Sequence, residues 1–168
     1  MSAVANPKLA LRPFLPSDTP LLAEIFRASI ADLTGEDYDD EQQEAWSAGA
    51  DDEAAFGERL AGELTLIATL GGSAVGFIAL EGADHIDMLY VHPAVARQGV
   101  GALLCDAVEK LAAGRGATRL LVEASDNAQG FFSHRGFVAQ QRNTVLREGV
   151  WLANTTMEKK LPAKERAS

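Results

Sequence analysis

Hydrophobic residues change spacing along the chain in a way that marks out elements. Lys8 to Phe14 carries apolar residues ahead of Pro16 and predicts a short strand stopped by proline. Behind it, Ser17-Asp18-Thr19-Pro20 offers a capping oxygen and a first-turn proline, and Leu21, Leu22, Ile25, Phe26 and Ile30 recur at helical spacing. Trp46, Phe56 and Leu60 point to one or two short helices further on. Leu64 to Leu70 and Ala74 to Leu80 flank Gly71-Gly72, a pair suited to the positive φ angles of a tight hairpin turn. Ile86 to Val91 predicts a third strand of this group, ended by Pro93. From Gly99 to Leu111, Val100, Leu103, Leu104, Ala107, Val108 and Leu111 form one apolar helix face, closed by Gly114-Arg115-Gly116. Leu120 to Glu123 is the short apolar run of a strand covered on both faces. A short helix over Asn127 to Arg135 and a hairpin of Phe137–Val145 with Val150–Leu161 complete the order. Strands and helices so ordered predict a mixed α/β fold, helices layered on one sheet.

Composition narrows the class. The 168 residues are 47% hydrophobic and 23% charged, enough for one sizeable core. One domain over 1–161 with a polar tail over 162–168 is expected. Net charge is −9 with no basic stripe, so nucleic acid is not an expected partner. The one cysteine, Cys105, excludes an internal disulfide and a Cys-rich zinc site, and no metal is expected. The first eight residues lack signal-peptide character, and no window approaches the ~18 apolar residues of a membrane span. A soluble, cytoplasmic protein is the expectation; a homodimer is left open. Asp32 to Glu63 holds twelve of the 24 carboxylates against one basic residue, Arg59.

The first candidate for chemistry is Arg97-Gln98-Gly99-Val100-Gly101-Ala102, between a strand and the strongest helix. Free amides at a helix start, with glycines that admit a ligand to the backbone, suit a phosphate or pyrophosphate. A turn that merely needs glycine is the plainer reading. A Walker A loop would require Gly-Lys-Ser/Thr, which is absent. A dinucleotide fingerprint would require a third glycine where Leu104 stands, so a nicotinamide-binding domain ranks low.

The second candidate is Asn127-Ala-Gln-Gly-Phe131-Phe132-Ser-His-Arg-Gly136-Phe137. Together with Gly99-Val-Gly101 after a strand ending near Val91-His-Pro93, it resembles the GNAT N-acetyltransferases. The resemblance runs from about Lys8 to Leu161 and is sharp from His85 to Phe137. It implies a mostly antiparallel central sheet with helices on both faces, and acetyl-CoA as co-substrate. It further implies that Arg97, Gln98, Gly99, Val100, Gly101 and Ala102 hold the diphosphate. Leu89, Tyr90 and Val91 would line the pantetheine, splaying from Leu120–Glu123, while Asn127, Phe131 and Phe132 contact the same arm. Two positions depart from the family: Ala96 stands where Gln or Arg is common, and Phe132 where the acid tyrosine is common.

Acetyl transfer needs a base for the amine, a donor for the carbonyl oxygen and help for the leaving thiol. His85 and Asp87 are the base candidates, two apart on a strand and so on one face. His85 aligns with the base glutamate of histone acetyltransferases; the pair matches two histidines of arylalkylamine acetyltransferases. The plainer reading is a strand-end histidine beside a solvated or ammonium-binding carboxylate. Tyr90 alternates away from that face unless a bulge resets the register; with Trp151 it reads as packing. Tyr38, Trp46, Glu123 and Ser125 are expected at the acceptor pocket, Trp46 being equally suited to the core. Cys105 reads as a small helix residue, His92 as surface, and His134 and Arg135 as a solvated face with a phosphate contact as the other reading. The acidic stretch either attracts a cationic acceptor or is a solvated surface. Two functions follow: an enzyme acetylating a primary amine, or an acyl-CoA sensor of the same fold.

Overall fold

A computed structural model of the chain describes residues 8–162. Residues 1–7 and residues 163–168 of the expected tail lie outside the described residues. The elements are β1 (Leu9–Pro13), α1 (Thr19–Leu33), α2 (Asp40–Ser47), α3 (Glu53–Ala61), β2 (Leu64–Leu70), β3 (Ser73–Glu81), β4 (His85–Val91), α4 (Val100–Gly114), β5 (Arg119–Ser125), α5 (Gln129–His134), β6 (Val138–Arg147) and β7 (Val150–Lys160).

Seven strands form one sheet in the order β1-β2-β3-β4-β5-β7-β6. Every neighbouring pair is antiparallel except β4 and β5. That pattern removes the nicotinamide alternative, whose fold needs a largely parallel sheet. Helices cover both faces. On one, Val100, Leu104, Cys105, Val108 and Ala112 of α4 pack with Ile78, Ile86 and Leu120. On the other, Leu22, Ile25, Phe26 and Ile30 of α1 pack with Phe56, Ile67, Phe77 and Met88. The expected α4 stripe is rotated: Leu111 is 38% exposed, while Cys105 and Ala112 turn inward.

Local chemistry explains most boundaries. Gly71 and Gly72 take φ +59° and +88°, as a tight hairpin demands. The Asp39 and Asp52 side chains accept the amides of Gln42 and Ala55, capping α2 and α3 inside the acidic stretch. Asp18 behaves otherwise than expected. Its carboxylate takes a bidentate contact from Arg12 at 2.8 Å and the Leu15 amide, and leaves α1 without a side-chain cap.

One irregularity positions the site. Along β3 and β4, Ala79 faces Met88 but Leu80 faces Ile86, so Asp87 is the extra residue of a bulge. Strict alternation would send His85 and Tyr90 to opposite faces. The bulge shifts the register by one, and both open on the α1–α3 side. The condition under which Tyr90 would face the chemistry is met.

Candidate active site

β4 and β5 run parallel but pair only at His85↔Leu121 and Ile86↔Val122. Beyond that point they diverge, and the sheet opens into a cleft lined by Leu89, Val122, Ser125, Asn127, Ala128 and Phe132. The His92 amide bonds back to Val75 on the β3 side. Alternation along the strand therefore aims the Leu89 and Val91 amides into the gap. The expected splay is present, with backbone donors lining it.

The first turn of α4 lies at one end of this gap. Gly99 caps it in a left-handed conformation, φ +86°, with no side-chain cap. The first intrahelical bond runs from the Leu103 amide to Gly99, leaving the Val100, Gly101 and Ala102 amides available to an anion. Arg97 and Gln98 are exposed beside them. Gly101 has a packing reason as well: a Cβ there would sit 3.3 Å from Phe131 Cε1 and 3.4 Å from Cζ. The two sequence motifs are thus seated directly against each other. Gly76, which the sequence reading did not single out, does the same from the sheet. A Cβ on it would lie 3.0 Å from Val100 Cγ1 and 3.1 Å from the Tyr90 carbonyl.

At the other end is a cavity of about 220 Å³ on the α1–α3 side, also bounded by β6 and β7. Its charged lining comprises Arg59, His85, Asp87, Glu123 and Arg147. Arg59 grips Asp87 with Nε at 2.8 Å and a terminal nitrogen at 2.6 Å. Glu63 lies behind, with one carboxylate oxygen buried and no donor beside it among the described residues. Burial, then hydrogen bonding to Asp87, pushes the Glu63 carboxyl up to about 8. Burial works against Asp87 as well. There, however, the Glu63 proton and the Arg59 guanidinium outweigh it, and the carboxyl is held below its usual range. Asp87 is therefore a fixed anion, poorly suited to take a proton.

His85 sits between two carboxylates, Nε2 at 2.8 Å from Glu123 and Nδ1 at 3.3 Å from Glu81. Burial lowers its proton affinity, yet Glu123 and Glu81 more than compensate, and its pKa is raised. Donor atoms of Glu81, His85 and Asp87 come within 4.8 Å of one another. Each is already engaged by a neighbour, which describes a proton network better than a cation site. Tyr90 is wedged against Phe26 and Phe77, and its oxygen accepts the Trp46 indole N–H at 3.0 Å. Burial pushes its hydroxyl up to about 12. That hydroxyl keeps its own proton to give, and Tyr90 and Trp46 border both cleft and cavity.

Other expected residues occupy defined places. Tyr38 walls the cavity but spends its hydroxyl, donating to the Ala153 carbonyl at 2.6 Å and accepting the Asp126 amide at 2.9 Å. Glu123 and Ser125 border both spaces. Phe132 is 2% exposed, edge-on between Phe131 and Phe137. Cys105 is fully buried, its thiol pushed up to about 12, which leaves it no nucleophilic character. His92 accepts the Ala94 amide. Arg135 is half-buried and binds Asp106 and Glu109, which engage its charge. Trp151 is 59% exposed rather than packed. None of the twelve carboxylates from Asp32 to Glu63 lines the cavity; of them, the Glu63 side chain stands buried behind Asp87. Arg59, Glu63 and Arg147 were missed by the sequence reading. The solitary cation in an acidic run was the signal that could have flagged Arg59.

Three comparisons agree with this geometry. The family model for the acetyltransferase (GNAT) domain matches residues 34–161. The chain is 31% identical over 153 residues to YafP of Escherichia coli K12, an uncharacterized N-acetyltransferase, covering 90% of this chain and 96% of that one. A crystal structure of a GCN5-related N-acetyltransferase from Rhodopseudomonas palustris is 60% identical, with a TM-score of 0.90 over 96% of this chain and 99% of that one. PaiA N-acetyltransferase from Thermoplasma acidophilum, solved with coenzyme A, shares the fold at 20% identity and a TM-score of 0.76, over 91% and 99% of the two chains. A split parallel pair, a glycine-started helix beside it and these relatives lead to one assignment: the chain belongs to the GNAT acetyltransferase family and is an acyltransferase.

Proposed function

We propose that the protein moves the acetyl group of acetyl-CoA to a primary amine by direct attack in a ternary complex. The observation that carries this reading is the β4–β5 gap, which joins the amide-rich start of α4 to a charged cavity on the far side of the sheet. The diphosphate sits on the Val100, Gly101 and Ala102 amides, with Arg97, Gln98 and Gly99 around it. The pantetheine follows Leu89 to Val91 as an added strand, flanked by Asn127, Phe131 and Phe132. Relatives solved with coenzyme A or acetyl-CoA support that cofactor.

The amine enters through the cavity. An alkylammonium has a pKa near ~10, so a proton must leave before attack. Neutral His85 takes it and passes it through Glu123 or Glu81, both open to solvent. Asp87, kept ionised by Arg59, steadies the arriving cation instead of serving as base. The amine nitrogen bonds to the thioester carbon, and the carbonyl electrons move onto oxygen, where the Leu89 amide meets them. Collapse of that intermediate breaks the C–S bond, the sulfur leaves with the electron pair, and the nitrogen gives up its second proton through the same His85 route to leave the neutral amide. Tyr90 donates a hydrogen bond to it and keeps its proton, because a hydroxyl at about 12 is a weaker acid than a thiol near ~8.5.

The experiment is thiol release from acetyl-CoA across an amine panel, with product mass confirming an N-acetyl group. Turnover on a primary amine is expected. Cofactor binding without turnover on any amine would overturn the reading and leave a sensor.

A further inference from the structure

The charged side chains of the cavity are paired off with one exception. Arg59 is ion-paired with Asp87, and His85 is hydrogen-bonded to Glu123. Arg147 lines the same cavity and makes no ion pair or side-chain hydrogen bond among the described residues. It is the last residue of β6, and Val145, two positions earlier on the same side of the strand, lines the cavity as well. The two-residue turn after it fixes its place: Arg147 faces Val150, with Glu148 and Gly149 at φ +47° and +75°. Its charge reaches the Tyr90 hydroxyl, whose proton it makes easier to lose. In a chain of net charge −9, Arg147, exposed at the rim of the cavity, therefore offers it a positive charge with no side-chain partner among the described residues.

We infer that Arg147 is a specificity-determining residue that binds a carboxylate on the acceptor, so that the preferred acceptors are small amino carboxylates. This rests on the acetyl-transfer reading above and adds the class of amine. A guanidinium fork matches a carboxylate in two parallel hydrogen bonds. The ammonium end of the same molecule would face Asp87, Glu123 and His85, so the cavity is arranged for a zwitterion: anions at the β4–β5 end, a cation at the β6–β7 turn. The carboxylates of the acidic stretch, which would favour a polycation, do not line the cavity.

The test compares kcat/KM for matched pairs, each amino acid against its own amide, in wild type, Arg147→Ala and Arg147→Glu. Using the ratio within each pair cancels any effect of Arg147 on the chemistry common to both. Wild type is expected to favour the free acid by about tenfold or more, in line with a charge-assisted contact. The preference should collapse in Arg147→Ala and reverse in Arg147→Glu. An unchanged ratio in Arg147→Ala overturns the inference. So does turnover confined to amines without a carboxylate, which leaves acetyl transfer itself intact. No turnover on any amine, with acetyl-CoA still stabilising the fold, overturns acetyl transfer and this inference with it.

Discussion

The two faces of the split sheet are built by different means. On the α4 side, the site is made from backbone: free amides at Val100 to Ala102, amides of Leu89 and Val91 in the gap, and glycines that permit close packing. On the α1–α3 side it is made from side chains brought together across long stretches of chain. Arg59 meets Asp87 over 28 residues, His85 meets Glu123 over 38, and Trp46 meets Tyr90 over 44. A backbone site depends on conformation and tolerates most side-chain changes; a side-chain site depends on each partner. The first kind suits a cofactor shared by many enzymes, and the second can be retuned for one acceptor.

The comparison breaks most visibly at Gly101. Gly101→Val forces a branched side chain against Phe131 and Val91, displacing the wall of the gap and the helix start together. Acetyl-CoA at saturation should stabilise wild type by a few kcal/mol through mass action, and thermal melts of the variant should show that shift abolished. NADH should shift neither protein. A normal acetyl-CoA shift in Gly101→Val would remove α4 from the cofactor site.

The opposite failure belongs to the other face. A His85→Ala, Asp87→Asn double variant should bind acetyl-CoA as wild type does, yet lose at least about tenfold in kcat, since a general base is typically worth about 10²–10⁴-fold. In wild type, kcat/KM should climb with pH through a point above the ordinary imidazole value of ~6.5, because Glu123 and Glu81 raise His85. Full activity in the double variant would refute the base assignment.

How legible each face was in the sequence follows from the same contrast. Elements set by local pattern were readable: seven strands, the Gly71-Gly72 hairpin, the α4 and α5 motifs and their family resemblance. The α4 stripe was off by a fraction of a turn because small residues, Cys105 and Ala112, took the core positions in place of Leu111. The α1–α3 side was legible only in part. His85, Asp87, Tyr38, Trp46, Glu123 and Ser125 do gather there, but their partners do not announce themselves. A single-residue bulge at Asp87 reversed the reading of Tyr90, and no local signal marks it. Asp18 looked like a cap and became an ion-pair partner, since Arg12 lies on a neighbouring strand rather than in the helix.

Smaller effects sharpen the division of labour between the two phenyl-type positions. Tyr90→Phe should lower kcat about tenfold by removing one hydrogen bond to the leaving sulfur, with KM for acetyl-CoA little changed. Phe132→Tyr should hold or slightly raise the rate, since Phe132 is a packed ring between two others. A large gain in Phe132→Tyr would mean that position, and not Tyr90, faces the sulfur.

Glu63 gives the subtlest test, read in stability. The folded protein keeps a proton on it up to about 8, whereas an ordinary glutamate releases one near 4.5. Between those values the native state binds more protons than the unfolded chain, so this contribution to stability is lost as pH rises from about 4.5 to about 8. Glu63→Gln mimics the protonated form and should flatten that part of a denaturant-midpoint profile against pH. An identical slope in both proteins would show that Glu63 is ionised in the fold.

The central claim is that the cofactor's reactive end passes between β4 and β5 to meet the acceptor cavity. A crystal structure with coenzyme A tests it most directly. The account predicts the diphosphate on the Val100–Ala102 amides and the sulfur in the gap, within about 3.5 Å of the Tyr90 hydroxyl. A thiol arm lying outside the gap, or a sulfur turned away from the Tyr90 and His85 side, would contradict it.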